Sequence, residues 1–194
     1  MKVIAISGSP RENGNTEYLL RHCLKKLEVS GHEVNFVSLR GKTIKPCTAC
    51  SKCGKLKNET CVQQDDFAEV FSQMLDVDAL IVGSPVYFGS ATPELMALLD
   101  RAGYVSRANG NLFSRKIGGP ITVARRAGQN FTYAQLLYWF MINDMVVPGS
   151  SYWNVAIGRL AGEVAEDEEG LKTIERFAEN LDWLGGRLFG ATAD

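Results

Sequence analysis

Short apolar runs alternate with amphipathic stretches along the chain, and nothing else in the sequence constrains the fold as strongly. "KVIAIS" (Lys2 to Ser7) runs into Gly and Pro, as a buried parallel strand does. "NTEYLLRHCLKKLEVSG" then sets Leu19, Leu20, Cys23, Leu24 and Leu27 on one helical face, with Gly31 to close it. "HEVNFVSL" alternates as a strand, with Val34, Phe36 and Ser38 on one side. After a cysteine-rich stretch, "DDFAEVFSQMLDVD" turns Phe67, Val70, Phe71 and Met74 inward as a helix. "ALIVGSPVY" reads as the central strand, and "TPELMALLDRAG" as a helix with Pro93 in its first turn. "KIGGPITVA" is the next strand, despite its internal Gly and Pro. "FTYAQLLYWFMINDM" is a helix, "VVPGSSYW" the last strand, and "DEEGLKTIERFAENLDWLGGRLF" a long final helix. This order predicts an α/β fold, a mostly parallel sheet with helices on both faces. No repeat, low-complexity segment or linker divides the 194 residues, so 1–194 reads as a single domain.

Bulk properties narrow the function classes. The net charge of −1 supplies no field for a nucleic acid or an anionic membrane. "MKVIAISGSP" turns polar too soon for a signal peptide, and no apolar run reaches membrane-spanning length. A cytoplasmic setting is the expectation, and clustered cysteines there read as metal-binding or redox-active before they read as disulfides.

In doubly wound sheets, ligands sit at the carboxyl ends of strands, beside helix N-termini. "SGSPRENGNT" joins the first strand to the first helix. Ser9, Asn13, Asn15 and Thr16 supply donors and Arg11 a charge suited to a phosphate. It is neither a P-loop, since no Gly-Lys-Ser/Thr follows, nor the dinucleotide fingerprint, since Gly8 and Gly14 are wrongly spaced. "GSPVYFGSATPELM" leaves the third strand with an aromatic pair, Tyr87 and Phe88, between Pro85 and Gly89. Such a loop can lay backbone amides and aromatic edges against a flat heterocycle. "ARRAGQN" (Ala124 to Asn130) leaves the fourth strand with two arginines, a glycine and two amides. That set suits the carbonyl edge of a flavin, which gains negative charge on reduction.

With these three loops, and with the cysteine stretch between the second strand and second helix, the chain resembles the flavodoxin-like NAD(P)H-dependent FMN reductases, specifically their iron-sulfur flavoprotein branch. The resemblance runs over nearly the whole chain. It implies a three-layer sandwich around a five-stranded parallel sheet of order 2-1-3-4-5. It implies that Ser9, Arg11, Asn15 and Thr16 hold the phosphate of a non-covalently bound FMN. Pro85, Val86, Tyr87, Phe88, Gly89 and Ser90 would contact one part of the isoalloxazine, and Arg126, Gly128 and Gln129 another. Homodimers or homotetramers are implied too, with FMN near subunit interfaces.

"KPCTACSKCGKLKNETC", within a loop spanning residues 45–62, holds four of the five cysteines: Cys47, Cys50, Cys53 and Cys61. Three closely spaced thiolates can wrap one face of a cubane, and a distant fourth can close it. The resemblance implies one [4Fe-4S] cluster that exchanges electrons with FMN, often that of a neighbouring subunit. Lys42, Lys45, Lys52, Lys55 and Lys57 surround the cysteines and would stabilise an anionic cluster. The spacing also admits an empty thiol site, a four-thiolate zinc site or a C-x2-C disulfide.

Other residues read as structural. Cys23 belongs to the core, Asp65 and Asp66 cap the second helix, and Asp100 pairs with Arg101. His22 and His32 lack a nearby nucleophile, and Trp139, Phe140 and Met141 belong to core or interface. No residue is singled out as catalytic, because the flavin would carry the chemistry; Tyr87, Phe88 and Trp153 would wall its stacking site. The leading expectation is an enzyme taking electrons from NAD(P)H or ferredoxin to a quinone, flavin or other small acceptor. A flavodoxin-like carrier without a small-molecule substrate, and a metal-binding or thiol-sensing module on the same scaffold, are the competing readings.

Overall fold

The computed structural model describes residues 1–189. Its sheet has the order β2-β1-β3-β4-β5, and every neighbouring pair is parallel. The strands are β1 (Lys2–Ser7), β2 (Glu33–Ser38), β3 (Ala79–Pro85), β4 (Ile117–Ala124) and β5 (Val155–Ile157). The helices are α1 (Asn15–Val29), α2 (Lys52–Leu56), α3 (Phe67–Leu75), α4 (Pro93–Ala108), α5 (Gln129–Ile142) and α6 (Glu168–Leu188). A 3-10 turn covers Glu163–Glu166. This is the flavodoxin-like α/β architecture that the sequence predicts.

Successive residues of the central strands face opposite layers. Val3, Ala5, Ala79 and Ile81 meet Leu20 and Leu27 of α1 and Phe177 and Leu181 of α6. Ile4, Ile6, Leu80 and Val82 meet Phe71 of α3, Leu98 of α4 and Phe140 of α5. Both sheet faces are therefore apolar, which is why these strands read as unbroken apolar runs. Helix α3 buries the four residues its period predicts. At the edge, β2 half-buries Val34 and Phe36 beneath α1 and α6 and buries Val37 on the opposite face.

Strand β4 is buried along its whole length, and its Gly and Pro have separate explanations. At Gly118, with φ +153, a Cβ would stand 1.8 Å from the Leu80 carbonyl oxygen, so only glycine lets β4 pair with β3. The Gly118 N–H donates to the Val146 carbonyl (3.1 Å) and the Thr122 N–H to the Asn154 carbonyl (2.9 Å). Pro120 lies between them on the same side, opposite the 147–153 loop rather than a paired strand. Its missing N–H costs no ladder bond there, and its carbonyl accepts from Asn154 Nδ2 (3.2 Å).

The predicted last strand is displaced. Val146 makes a lone bridge to Ile117, residues 147–153 loop outward, and the strand forms at Val155–Ile157 against Thr122–Ala124. Pro148, Gly149, Ser150 and Ser151 favour turns over a paired strand, and Ser150 Oγ bonds Asn154 Oδ1 (2.8 Å) to fix the loop.

Gly118→Ala is expected to destabilise the protein by at least the roughly 1–3 kcal/mol typical of overpacking, because rigid backbone blocks the new methyl. Gly186→Ala, on an open face of α6, is expected to stabilise it by about 0.5–1 kcal/mol. Urea unfolding of the two variants measures both.

Candidate functional site

The loops after β1, β3, β4 and β5 meet at the carboxyl edge of the sheet in a cleft of about 290 Å³. It spans the point between β1 and β3 where strand order reverses, the usual ligand position in such sheets. Ser9, Arg11, Asn15 and Thr16 line one wall, Pro85, Val86 and Tyr87 a second, and Val123, Ala124 and Arg125 a third. Gly158, Arg159 and Leu160 close it. Three arginines and no carboxylate face the space.

The phosphate-loop wall is built around the start of α1. Its N-cap is Gly14, so no side chain satisfies the first amides. Thr16 is buried, and its Oγ1 has no hydrogen-bond partner. Uncapped amides beside an orphaned hydroxyl form an anion cradle. Ser9 Oγ accepts from the Arg11 N–H (3.2 Å), and Arg11 Nη1 donates to the Arg159 carbonyl (3.2 Å). Asn15 Oδ1 accepts from the N–H groups of Gly162 (2.9 Å) and Val164 (3.3 Å), so this side chain positions the loop after β5. A Cβ at Gly158 would stand 2.6 Å from Asn15 Nδ2, which makes the close approach glycine-dependent. Glu163 fixes the same turn by accepting from the Leu160 (2.8 Å) and Arg159 (2.7 Å) N–H groups, which hold its carboxyl below the usual range.

Several predicted contacts lie outside this lining. Asn13 is exposed, with φ +51. Tyr87 to Ser90 form a tight turn, closed by Tyr87 N–H to Ser90 carbonyl (2.8 Å) and Ser90 N–H to Tyr87 carbonyl (3.0 Å). Phe88 and Gly89 have positive φ, which throws the Phe88 ring into solvent. Ser90 Oγ donates to Gln135 Oε1 (3.1 Å), and the Val86 N–H is taken by the Val123 carbonyl (2.9 Å). After β4 it is Arg125, not Arg126, that lines the cleft. Gly128 caps α5 against Val86, and Gln129 turns inward, donating from Nε2 to the Ala156 carbonyl (3.5 Å). Trp153 is half exposed and packs on Tyr152, away from the lining. The residues missed are Val123, Ala124, Arg125 and the 158–160 turn. That turn follows directly from the misplaced last strand, since a strand read at "VAI" puts "GRL" at this edge.

The cysteine segment forms a second site. Cys47, Cys50, Cys53 and Cys61 all line one cavity of about 130 Å³ beside α4, and all are free thiols. It shares no lining residue with the cleft. Among the described residues, no three Cys, His, Asp or Glu side chains converge closely enough to hold a single metal ion. Thiolates around a cubane each bind a different iron and stand farther apart than those around one ion. The chain between these cysteines is forced into left-handed backbone at Ala49, Ser51, Lys57 and Glu59, a strain that collects at ligand clamps. Cys50 is exposed, and the Lys52 backbone N–H holds its thiol below the usual value. Burial pushes the core Cys23 thiol up to about 12. Lys42 is taken by Glu69 (3.1 Å), and Lys52 and Lys55 stand exposed on α2.

Arg101 and Asp65 underlie this cavity, which corrects two expectations. Arg101 pairs not with Asp100 but with Asp65, at 2.6 Å, and each side chain is 1% exposed. Asp65 does accept from the Phe67 N–H (3.2 Å), yet its other oxygen accepts from Arg101 and from the Lys45 N–H (2.9 Å). Burial pushes the Asp65 carboxyl up, but these bonds and the guanidinium charge outweigh it and leave it below its ordinary value. Burial likewise opposes the Arg101 charge, and contact with Asp65 and Cys61 outweighs it. Both histidines pair with α6, His22 with Glu175 (3.1 Å) and His32 with Asp182 (2.9 Å), and none of the four lines either site.

A family model described as NADPH-dependent FMN reductase matches residues 1–159. The chain belongs to that family. Members of the family are FMN-dependent oxidoreductases, and so is this protein. An iron-sulfur flavoprotein of Methanocaldococcus jannaschii is 36% identical over 189 residues, covering 93% of this chain and 95% of the relative. An iron-sulfur flavoprotein of Archaeoglobus fulgidus is 34% identical over 197 residues, covering 95% and 99%. Among solved structures, RosB with a bound 8-demethyl-8-formylriboflavin-5'-phosphate intermediate superposes with a TM-score of 0.80. It covers 98% of this chain and 81% of that one at 16% identity, a likeness of fold. No described helix is long and apolar enough to cross a membrane.

Asp65→Ala leaves a buried guanidinium without its counter-charge and is expected to cost about 3–5 kcal/mol in urea unfolding. Because the folded Asp65 carboxyl sits below its ordinary 3.8, the stability it supplies is complete above that value. It is lost as pH falls through the lower folded value. Protection of the 45–65 backbone against hydrogen exchange, referred to the intrinsic rate at each pH, is therefore expected to fall on acidification below 3.8, and not between neutral pH and 5.

Proposed function

We propose that this chain, acting as a single domain, holds FMN in the edge cleft and passes electrons from NAD(P)H or ferredoxin to a quinone, flavin or other small acceptor. A [4Fe-4S] cluster on Cys47, Cys50, Cys53 and Cys61 serves as the relay. The observation that carries the flavin reading is the buried, unpartnered Thr16 hydroxyl at the uncapped start of α1. An acceptor oxygen entering the cleft would satisfy it, and the phosphate of FMN suits both the uncapped helix start and the charge of the cleft.

FMN, when bound, supplies hydride acceptance and one-electron transfer. The chain's own residues bind and orient. The amides of Asn15, Thr16 and Glu17 and the Thr16 hydroxyl would hold the phosphate, and Arg11 would add charge across the cleft mouth. Arg125 and Arg159 bring further positive charge to the cleft, where it favours the reduced, anionic form of a flavin. Pro85, Val86 and Tyr87 give an apolar wall that excludes water from one side. Phe88, exposed at the tip of its turn, would contact a ring or a second subunit only in the assembled state. Exposed Phe131, Tyr138 and Met141 on α5 support burial against another copy, in keeping with a homodimer or homotetramer.

For the relay, the support is one cavity lined by all four cysteines, together with relatives named iron-sulfur flavoproteins. The deciding experiment is an absorption spectrum with iron and sulfide analysis on anaerobically purified protein. Flavin with about four irons per chain is expected for this cluster type. Flavin alone removes the relay, and protein that neither carries nor rebinds FMN overturns the reading. Rapid flavin reduction by NADPH or NADH in stopped flow is expected, and its absence with both favours ferredoxin or a carrier role.

Thr16→Val is expected to weaken FMN binding about 10- to 150-fold, the loss of a hydrogen bond to a charged group of about 1.5–3 kcal/mol. Riboflavin, which lacks the phosphate, is expected to bind the variant and the parent alike. Flavin-fluorescence titrations of both ligands make the comparison.

A further inference from the structure

The cysteine cavity has a floor that the four thiols do not supply. Arg101 projects from the third turn of α4 and lines it. Its side chain is 1% exposed, and its guanidinium lies 4.1 Å over the Phe67 ring. Only one of its nitrogens is used: Nη1 donates to Asp65 Oδ2 (2.6 Å) and to the Lys45 carbonyl (3.1 Å). Nε and Nη2 are buried without any hydrogen-bond partner. A buried charged donor left in that state is costly, so it marks a place where a partner is missing. Asp65 supplies the neutralising charge, and Phe67 blocks one face of the guanidinium. Arg101 lines the same cavity as the four cysteines and contacts Cys61 there, so the cavity is the side from which a partner for these nitrogens can come.

We propose that Arg101 is the positioning residue of the cysteine site. Through Nη1 it clasps the two ends of the loop, Lys45 and Asp65, and through Nε and Nη2 it donates to the sulfur-rich anion that the four cysteines hold. This rests on the cluster reading above. Donors and positive charge aimed at thiolate or sulfide sulfur stabilise the reduced, more negative state and raise its potential. Exposed lysines do this weakly through solvent, whereas a buried guanidinium acts in low dielectric. Lysine at this position keeps the charge but cannot present two fixed donors.

The test uses full-length protein purified anaerobically, with Arg101→Lys and Arg101→Met compared with the parent. Iron and sulfide content, the cluster midpoint potential from an EPR-monitored titration, and the flavin midpoint are measured on each. The expected result is a lower cluster midpoint in Arg101→Lys at near-parental iron content, with the flavin midpoint unmoved. Arg101→Met is expected to lie lower still, or to lose iron during gel filtration. In iron-stripped samples, trypsin is expected to cut after Lys52, Lys55 and Lys57 several-fold faster in Arg101→Met than in the parent, which reports the clasp without the cluster. Where Arg101→Met does not fold, Arg101→Lys alone decides. Parent protein with iron, and variants that keep both its iron and its midpoint, overturn this inference and leave the cluster reading standing. Parent protein without iron or sulfide overturns the cluster reading and this inference with it.

Discussion

A parallel sheet cannot leave either face in water, and the organisation of this protein follows from that constraint. Strands β1 and β3 send alternate residues into two separate apolar layers, one roofed by α1 and α6 and the other by α3, α4 and α5. Each strand must therefore be followed by a helix that returns over the sheet. Every such return begins at the same carboxyl edge. Where order reverses between β1 and β3, the returning helices go to opposite faces and leave the edge unfilled. The cleft is the geometric remainder of burying both faces.

The cysteine segment is an insertion that this scheme does not require. Between β2 and α3 a short turn would be enough, yet the chain runs on through α2 and four left-handed residues before α3 begins. Little apolar burial holds it, since Cys53 and Cys61 are only partly covered and α2 buries no residue. What fastens it is polar: a buried ion pair whose carboxylate gathers the Lys45 and Phe67 amides and Arg101. Buried ion pairs contribute little net stability compared with apolar packing, because desolvating two charges costs much of what their attraction returns. A pair placed here, with two guanidinium donors left over, fits a loop shaped for a ligand better than one shaped for stability.

Much of the fold was legible because both sheet faces are buried. Apolar runs located β1, β3 and β4, and helical period gave the four inward residues of α3 without error. The failures have a common physical source. "VVPGSSYW" carries apolar and aromatic residues at strand spacing, but its turn-forming centre prevents pairing, and the true β5 is only three residues long. A three-residue strand carries almost no periodic signal, so the turn after it went unread as part of the cleft. Arg125 and Arg126 are adjacent, and which one faces the cleft depends on where β4 releases the chain. Asp100 beside Arg101 invited a local pair, whereas residues adjacent on a helix point apart. The true partner, Asp65, is 36 residues away in sequence, and only the packing of α4 against the loop brings it near.

Helix α4 links the two sites. Its first turn sits on the phosphate loop: the residue before it, Thr92, donates from Oγ1 to the Gly8 carbonyl (2.8 Å) and from its N–H to Ser84 Oγ (3.0 Å). Nine residues further along, Arg101 lines the cysteine cavity, about 14 Å away at 1.5 Å per residue. The intervening face, Leu95, Leu98, Leu99 and Ala102, is packed in the core, so the helix cannot slide or tilt without disturbing it. Cleft and cavity are therefore held at a fixed separation by one packed helix. They share no lining residue within one chain, so the electron relay proposed above would have to cross packed protein or pass between two chains.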